Sequence, residues 1–120
     1  MKLILASDLT FLLKYGYNLT GIPKDQMKIG YVTTASRGAR NFSHKVRDTI
    51  MPAIRKKGYG LEDIDIVGKD KDELRDFFKG KNVIHVEGGN TFYLLKAIRE
   101  TAFDEILKEL LSQGKIYVGT

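Results

Sequence analysis

Apolar residues cluster in short runs along the chain, and four of these runs predict buried β-strands. They are nearly continuous stretches of Ile, Val, Leu and Tyr, as expected where both faces of a strand are covered. The predicted strands span 2–6, 28–33, 82–86 and 115–118. A fifth and weaker candidate, 60–67, alternates Leu61, Ile64 and Ile66 with acidic residues. This alternation indicates a strand near the edge of a sheet.

Helical periodicity fills the stretches between the predicted strands. The predicted helices span 41–57, 71–79, 91–99 and 103–113. Pro52 should kink or restart the first of them, and Gly114 should cap the last. Strands that alternate with helices predict βαβ units, and hence one α/β domain over 1–120 with a three-layer, mostly parallel sheet. Residues 8–26 are less regular, with Ser7 or Asp8 as the cap of a short helix.

The last predicted strand has no covering helix after it. In a parallel sheet each strand normally leads into a helix that packs on the sheet. We therefore expect either that the sequence is the first part of a longer protein or that another chain covers this region. An uncovered apolar last strand also predicts a homodimer or a larger assembly.

Composition excludes several classes of site. The chain has no Cys, which rules out disulfides, thiolate metal sites and a cysteine nucleophile, and it has only two His. The formal net charge is +5, but the cations are scattered singly, so no nucleic-acid partner is predicted. No apolar run approaches the length of a membrane span. We expect a cytoplasmic protein without a cofactor.

The most informative segment follows the strand 82–86. Glu87 leads into the glycine pair Gly88–Gly89, and Asn90 or Thr91 can cap the helix that follows. Two glycines let the backbone approach a ligand closely, and free N–H groups in such a turn attract an anion or a developing oxyanion. Ligands of open α/β sheets bind beyond the carboxyl ends of the strands, where this turn is expected.

A second segment ends at the same predicted edge of the sheet. The run from Gly114 to Thr120 is a strand that ends in Gly119, where a nucleophile elbow would lie. Together, the segment 87–92, the leucines at 94–95 and the segment 114–120 resemble the peptidase E (aspartyl dipeptidase) and cyanophycinase family. Residues 2–7 and 28–36 resemble the first two strands of that family.

The resemblance implies an α/β serine hydrolase built like a class I glutamine amidotransferase domain. It implies that the Gly89 N–H forms part of the oxyanion hole and that the nucleophilic serine directly follows Thr120, so that this chain contains no nucleophile. The catalytic histidine and its acidic partner are expected further downstream. We therefore expect the 120-residue chain to be inactive alone, and the longer protein to be a dipeptidase E-like enzyme that hydrolyses short, aspartyl peptides, with other acidic peptides left open.

Other polar residues are candidates for substrate contacts at the same edge. Arg37 follows the second strand and can bind an acidic side chain or a carboxylate, and Ser36 and Arg40 lie beside it in sequence. Gly88, Asn90 and Glu87 are the other candidate substrate contacts, and Glu87 can alternatively hold the loop. His85 is expected to be a packed histidine in mid-strand, and His44 an exposed one.

Two other functions remain open from sequence. One is a flavodoxin-like module that binds a phosphate or nucleotide at Gly88–Asn90, although no Gly-x-Gly-x-x-Gly or P-loop pattern is present. The other is a naturally shortened, non-catalytic relative that self-associates through the uncovered strand.

Overall fold

The structure is a computed structural model that describes residues 2–6, 14–38 and 46–120. Its centre is a sheet of five parallel strands in the order β1-β5-β4-β2-β3. The strands are β1 Lys2–Leu5, β2 Lys28–Val32, β3 Gly60–Ile64, β4 Val83–Val86 and β5 Ile116–Gly119. The predicted parallel α/β sheet is confirmed, and the weak, alternating strand does lie at an edge as β3.

Helices connect these strands. They are α1 Thr34–Arg37, α2 Met51–Lys56, α3 Lys71–Phe78, α4 Thr91–Thr101 and α5 Phe103–Ser112. A π-helical turn, Val46–Ile50, leads directly into α2, and 3-10 turns span Asn18–Thr20 and Lys24–Gln26. Pro52 lies in the first turn of α2, directly after the π-helical turn, so the regular helix restarts here as the sequence predicted. Residues 41–45 of the predicted helix lie outside the described residues.

Two apolar clusters cover the two faces of the sheet, which makes three layers. One cluster joins β2, β4 and β5 to α2 and to the aromatic residues Tyr17 and Tyr59. The other joins the opposite face to α3, α4 and α5. Phe78 and Phe103 lie in this second cluster and are almost fully buried. Strands β4 and β2 contribute residues to both clusters and are therefore covered on both faces.

The last strand, β5, lies inside the sheet between β1 and β4. Its residues Ile116 and Val118 are buried. The exposed apolar side chains in this region are instead Leu3 and Leu5 of the neighbouring edge strand β1. The expected apolar surface near the last strand therefore lies on β1, and β5 itself offers no open edge.

Candidate active site at the carboxyl edge of the sheet

The carboxyl ends of β4 and β5 lie side by side. The strands pair in parallel, with Val86 opposite Gly119, and the Thr120 N–H donates to the Val86 carbonyl at 3.2 Å. Gly88 also packs against Thr120, since an added Cβ would lie 2.7 Å from the Thr120 carbonyl oxygen. The Gly88–Gly89 turn and Thr120 therefore lie next to each other at the carboxyl edge of the sheet, as the sequence predicted.

Gly89 is held against α1 in a conformation that suits only glycine. Its φ is +154°, and an added Cβ would lie 2.5 Å from the Ala35 carbonyl oxygen. Among the residues that the structure describes, neither the Gly88 N–H nor the Gly89 N–H has a hydrogen-bond partner. Two unpaired backbone donors beside the end of β5 can stabilise an anion or an oxyanion.

Asn90 anchors the end of the Gly88–Gly89 turn that leads into α4. Its side-chain oxygen accepts the Tyr93 N–H at 3.0 Å and caps α4, while its side-chain nitrogen donates to the Gly38 carbonyl at 3.1 Å. Because both polar ends of the side chain are engaged, Asn90 ties α4 to the end of α1. The predicted helix cap is confirmed.

Glu87 is buried, with 2% of its surface exposed. Tyr31 donates its hydroxyl to one carboxyl oxygen at 2.8 Å, and the Ser36 hydroxyl is hydrogen-bonded to the other. Burial raises the pKa of Glu87, although these two hydrogen bonds and the nearby Arg37 act in the opposite direction. Of the two roles that the sequence left open for Glu87, this geometry is typical of holding the loop.

Arg37 lies at the end of α1, a helical turn that sequence reasoning missed. Its Nε donates to Thr33 Oγ1 at 2.9 Å and lies 3.7 Å from a carboxylate oxygen of Asp65. About a third of the side chain, 31%, is exposed. A guanidinium that is oriented by two neighbours and still partly open to solvent can bind an acidic group of a substrate.

His85 is fully buried in the middle of β4 and lies within a hydrogen-bonded chain. Its Nδ1 lies 2.9 Å from the Tyr17 hydroxyl, and its Nε2 lies 3.1 Å from the Thr120 hydroxyl. Burial lowers the pKa of His85 to about 3, so the ring is neutral at neutral pH. The predicted packed histidine is confirmed, and Thr120, which precedes the expected nucleophile, is anchored to it.

Four further candidates, Ser7, Asp8, Arg40 and His44, lie outside the described residues. Within 2–6, 14–38 and 46–120, no three acidic or histidine side chains are placed to hold a metal ion. The same part of the chain has no helix long and apolar enough to cross a membrane.

The sequence profile of Peptidase family S51 matches residues 13–120. An uncharacterized peptidase of Listeria monocytogenes is 33% identical over 67 residues, which are 56% of this chain and 33% of that protein. An uncharacterized peptidase of Pasteurella multocida is 26% identical over 118 residues, 98% of this chain and 56% of that protein. The chain thus spans about half the length, or less, of these relatives.

Two solved structures share the fold. A candidate peptidase E protein from Listeria monocytogenes EGD-e superposes with a TM-score of 0.77 at 26% identity, over 99% of this chain and 58% of that one. A peptidase from an acI-B1 Actinobacterium superposes with a TM-score of 0.68 at 18% identity, over 98% of this chain and 51% of that one. The second likeness, at its low identity, shows the fold alone.

Proposed function

The chain belongs to peptidase family S51, and on that basis we propose that it forms the N-terminal part of a serine peptidase that cleaves short, acidic peptides. The observation that carries the proposal is the adjacency of the Gly88–Gly89 turn and Thr120. Within the described part of the chain the Gly88 and Gly89 N–H groups are unpaired, and they belong to the turn that packs against Thr120, which the proposed serine would follow. The chain's share of its relatives' length, at most 58% among those compared, supports its being part of a longer protein.

In the proposed mechanism the serine attacks the scissile carbonyl, and a histidine in the remaining part of the protein takes its proton. The Gly89 N–H and the N–H of the residue after the serine donate to the tetrahedral oxyanion. The histidine returns this proton to the leaving amine as the intermediate collapses, and water then hydrolyses the acyl-enzyme. The residues described here would supply the oxyanion site, the support of the strand end and part of the substrate pocket.

Arg37 is the residue that we propose for acidic specificity. It lies at the same edge as the Gly88–Gly89 turn, and its partly exposed guanidinium can pair with an aspartyl carboxylate. We propose Gly88 as a further substrate contact beside it; the amide of Asn90 is engaged by Gly38 and Tyr93, so Asn90 contributes by holding the turn rather than by the predicted substrate contact.

The first test compares the 120-residue chain with the longer protein that continues its reading frame. A fluorophosphonate probe should label the longer protein at the residue after Thr120 and should not label the short chain. Only the longer protein should hydrolyse Asp-Leu. Labelling at another residue, or equal hydrolysis by the short chain, would contradict the proposal. Heat-denatured longer protein serves as the control for non-specific labelling.

The second test concerns specificity. Arg37→Gln in the longer protein should raise the KM for Asp-Leu about tenfold or more, because an ion pair with substrate is lost, and should leave the KM for Ala-Leu unchanged. Arg55→Gln is the matched control, since Arg55 is also a half-exposed arginine beside a carboxylate, that of Asp63 at 3.6 Å. Equal effects of Arg37→Gln on both substrates would refute the assigned role.

Self-association and a cytoplasmic location belong to the same proposal. The exposed Leu3 and Leu5 of β1 support a contact with a second copy at this end of the sheet. Light scattering of the longer protein should give at least a dimer, and Leu5→Lys should reduce it to a monomer. Cell fractionation tests the location. A monomeric wild-type protein would contradict the proposed dimer but not the proposed peptidase activity.

A further inference from the structure

The buried carboxyl of Glu87 connects three elements directly below the glycine turn. Glu87 is the first residue after β4, Tyr31 belongs to β2 and Ser36 belongs to α1. Tyr31 reaches one carboxyl oxygen of Glu87 at 2.8 Å, and Ser36 reaches the other. The side chain therefore links the end of β4 to the strand and the helix beside it.

The backbone of the turn is attached to the same neighbours at both ends. The Glu87 N–H donates to the Val32 carbonyl at 3.2 Å, and the Asn90 N–H donates to the Ala35 carbonyl at 2.9 Å. Only Gly88 and Gly89 lie between these two anchors. The Glu87 side chain is the third attachment, and it lies two residues before the N–H of Gly89.

The number of protons at Ser36 determines how this attachment is made. The Ser36 hydroxyl lies 2.9 Å from the Thr33 carbonyl oxygen and is also hydrogen-bonded to Glu87. Each contact between two oxygens at such a distance requires a proton between them, and a serine hydroxyl carries one. A carbonyl oxygen has no proton to give. A protonated Glu87 supplies the second proton, so that each of the two contacts of Ser36 has a proton of its own.

From this count we propose that Glu87 is a positioning residue that holds the Gly88–Gly89 turn as a neutral, protonated carboxyl. It donates to the Ser36 hydroxyl, which donates in turn to the Thr33 carbonyl. The other oxygen of Glu87 accepts the Tyr31 hydroxyl. The role in catalysis rests on the proposed peptidase function, whereas the protonation of the carboxyl does not.

The electrostatic surroundings support a retained proton. Burial is the largest effect and raises the pKa of Glu87, and Asp63 of β3 adds to it. Arg37, the Tyr31 hydroxyl and a Ser36 hydroxyl that donates to the ionised carboxylate act in the opposite direction. A neutral carboxyl also leaves no negative charge beside the site where the oxyanion develops. Ionisation at higher pH would place a like charge there and would leave one proton for the two contacts of Ser36.

The test uses the longer protein with Asp-Leu as substrate. Glu87→Gln keeps a neutral side chain that can donate to Ser36, so kcat should stay within about threefold of wild type. Its activity should also lack the fall with rising pH that ionisation of Glu87 causes in the wild type. Glu87→Ala removes the attachment and should lower kcat about tenfold or more, with KM unchanged, because the oxyanion forms only in the transition state.

Thr101→Val is the matched control for loss of a buried polar contact. Its hydroxyl, which donates to Ala97 at 2.7 Å, lies at the far end of α4 from the turn. This variant should keep the kcat and the pH profile of the wild type. A kcat for Glu87→Gln as low as that of Glu87→Ala would overturn the proposal, because it would show that the charge is required.

Infrared spectroscopy separates this inference from the proposed function. At neutral pH the folded wild type should show the carbonyl band of a protonated carboxyl, and Glu87→Gln should lack that band. If the wild type lacks this carbonyl band, the proposal is overturned. If the longer protein cleaves no peptide, the proposed function fails, while this spectrum still decides whether Glu87 carries a proton.

Discussion

Acidification should destabilise the protein through His85, and replacing this side chain should remove that sensitivity. His85 is 0% exposed and its pKa is lowered to about 3 by burial. An unfolded histidine titrates near its ordinary pKa of about 6.5. Between these values the unfolded chain binds a proton that the folded protein excludes, so stability is lost as the pH falls.

The magnitude follows from the pKa difference. Each pH unit between these two pKa values lowers the free energy of unfolding by up to about 1.4 kcal/mol. Acidification from pH 6.5 to pH 4.5 therefore lowers the free energy of unfolding of the wild type by up to about 2.7 kcal/mol through His85 alone. At pH 7, His85→Asn should be less stable than wild type by roughly 1–3 kcal/mol, because Tyr17 or Thr120 loses its buried partner.

The assay is urea unfolding of the wild type and His85→Asn at several pH values between 7 and 4.5. The difference in free energy of unfolding between them should shrink as the pH falls, because only the wild type pays the protonation cost. His44→Asn is the control, since the sequence predicts that this second histidine is exposed. A difference that stays constant with pH, or an NMR titration of His85 near 6.5, would refute the reasoning.

Two further predictions concern the turn and a helix cap. Gly89→Ala should lower kcat on the order of 100-fold in the longer protein, because the new Cβ would meet the Ala35 carbonyl oxygen at 2.5 Å and displace the N–H donor. Steady-state kinetics measures this change, and a kcat close to that of the wild type would contradict the prediction. Asp70→Ala should lower the free energy of unfolding by about 1 kcal/mol and leave kcat unchanged, because it removes the capping box in which Asp70 and Glu73 bond each other's N–H at the start of α3. Urea unfolding measures this loss, and an unchanged midpoint would contradict the prediction.

Local sequence patterns predicted the elements that depend on local chemistry. The strand over 60–67 was placed at an edge because its alternation matches one buried and one open face, and β3 lies there. The helix predicted over 91–99 continues to Thr101 and ends where Ala102 turns the chain in a left-handed conformation. Such a stop at a residue other than glycine has no clear sequence signal.

Contacts between distant residues could not be predicted in this way. Tyr17 meets His85 across 68 positions of the chain, and nothing in the irregular stretch around Tyr17 indicates that contact. Glu87 and Ser36 are likewise 51 positions apart. The sequence could place both at one edge of the sheet, since parallel strands end together, but only packing shows that the carboxyl is buried and attached to two hydroxyl groups.

The most direct test of the oxyanion site is a crystal structure of the longer protein after reaction with a fluorophosphonate. The phosphonyl group should be attached to a serine directly after Thr120, and its oxygen should lie about 2.7–3.1 Å from the Gly89 nitrogen. An adduct on any other residue, or a phosphonyl oxygen beyond hydrogen-bond distance of Gly89, would contradict the account.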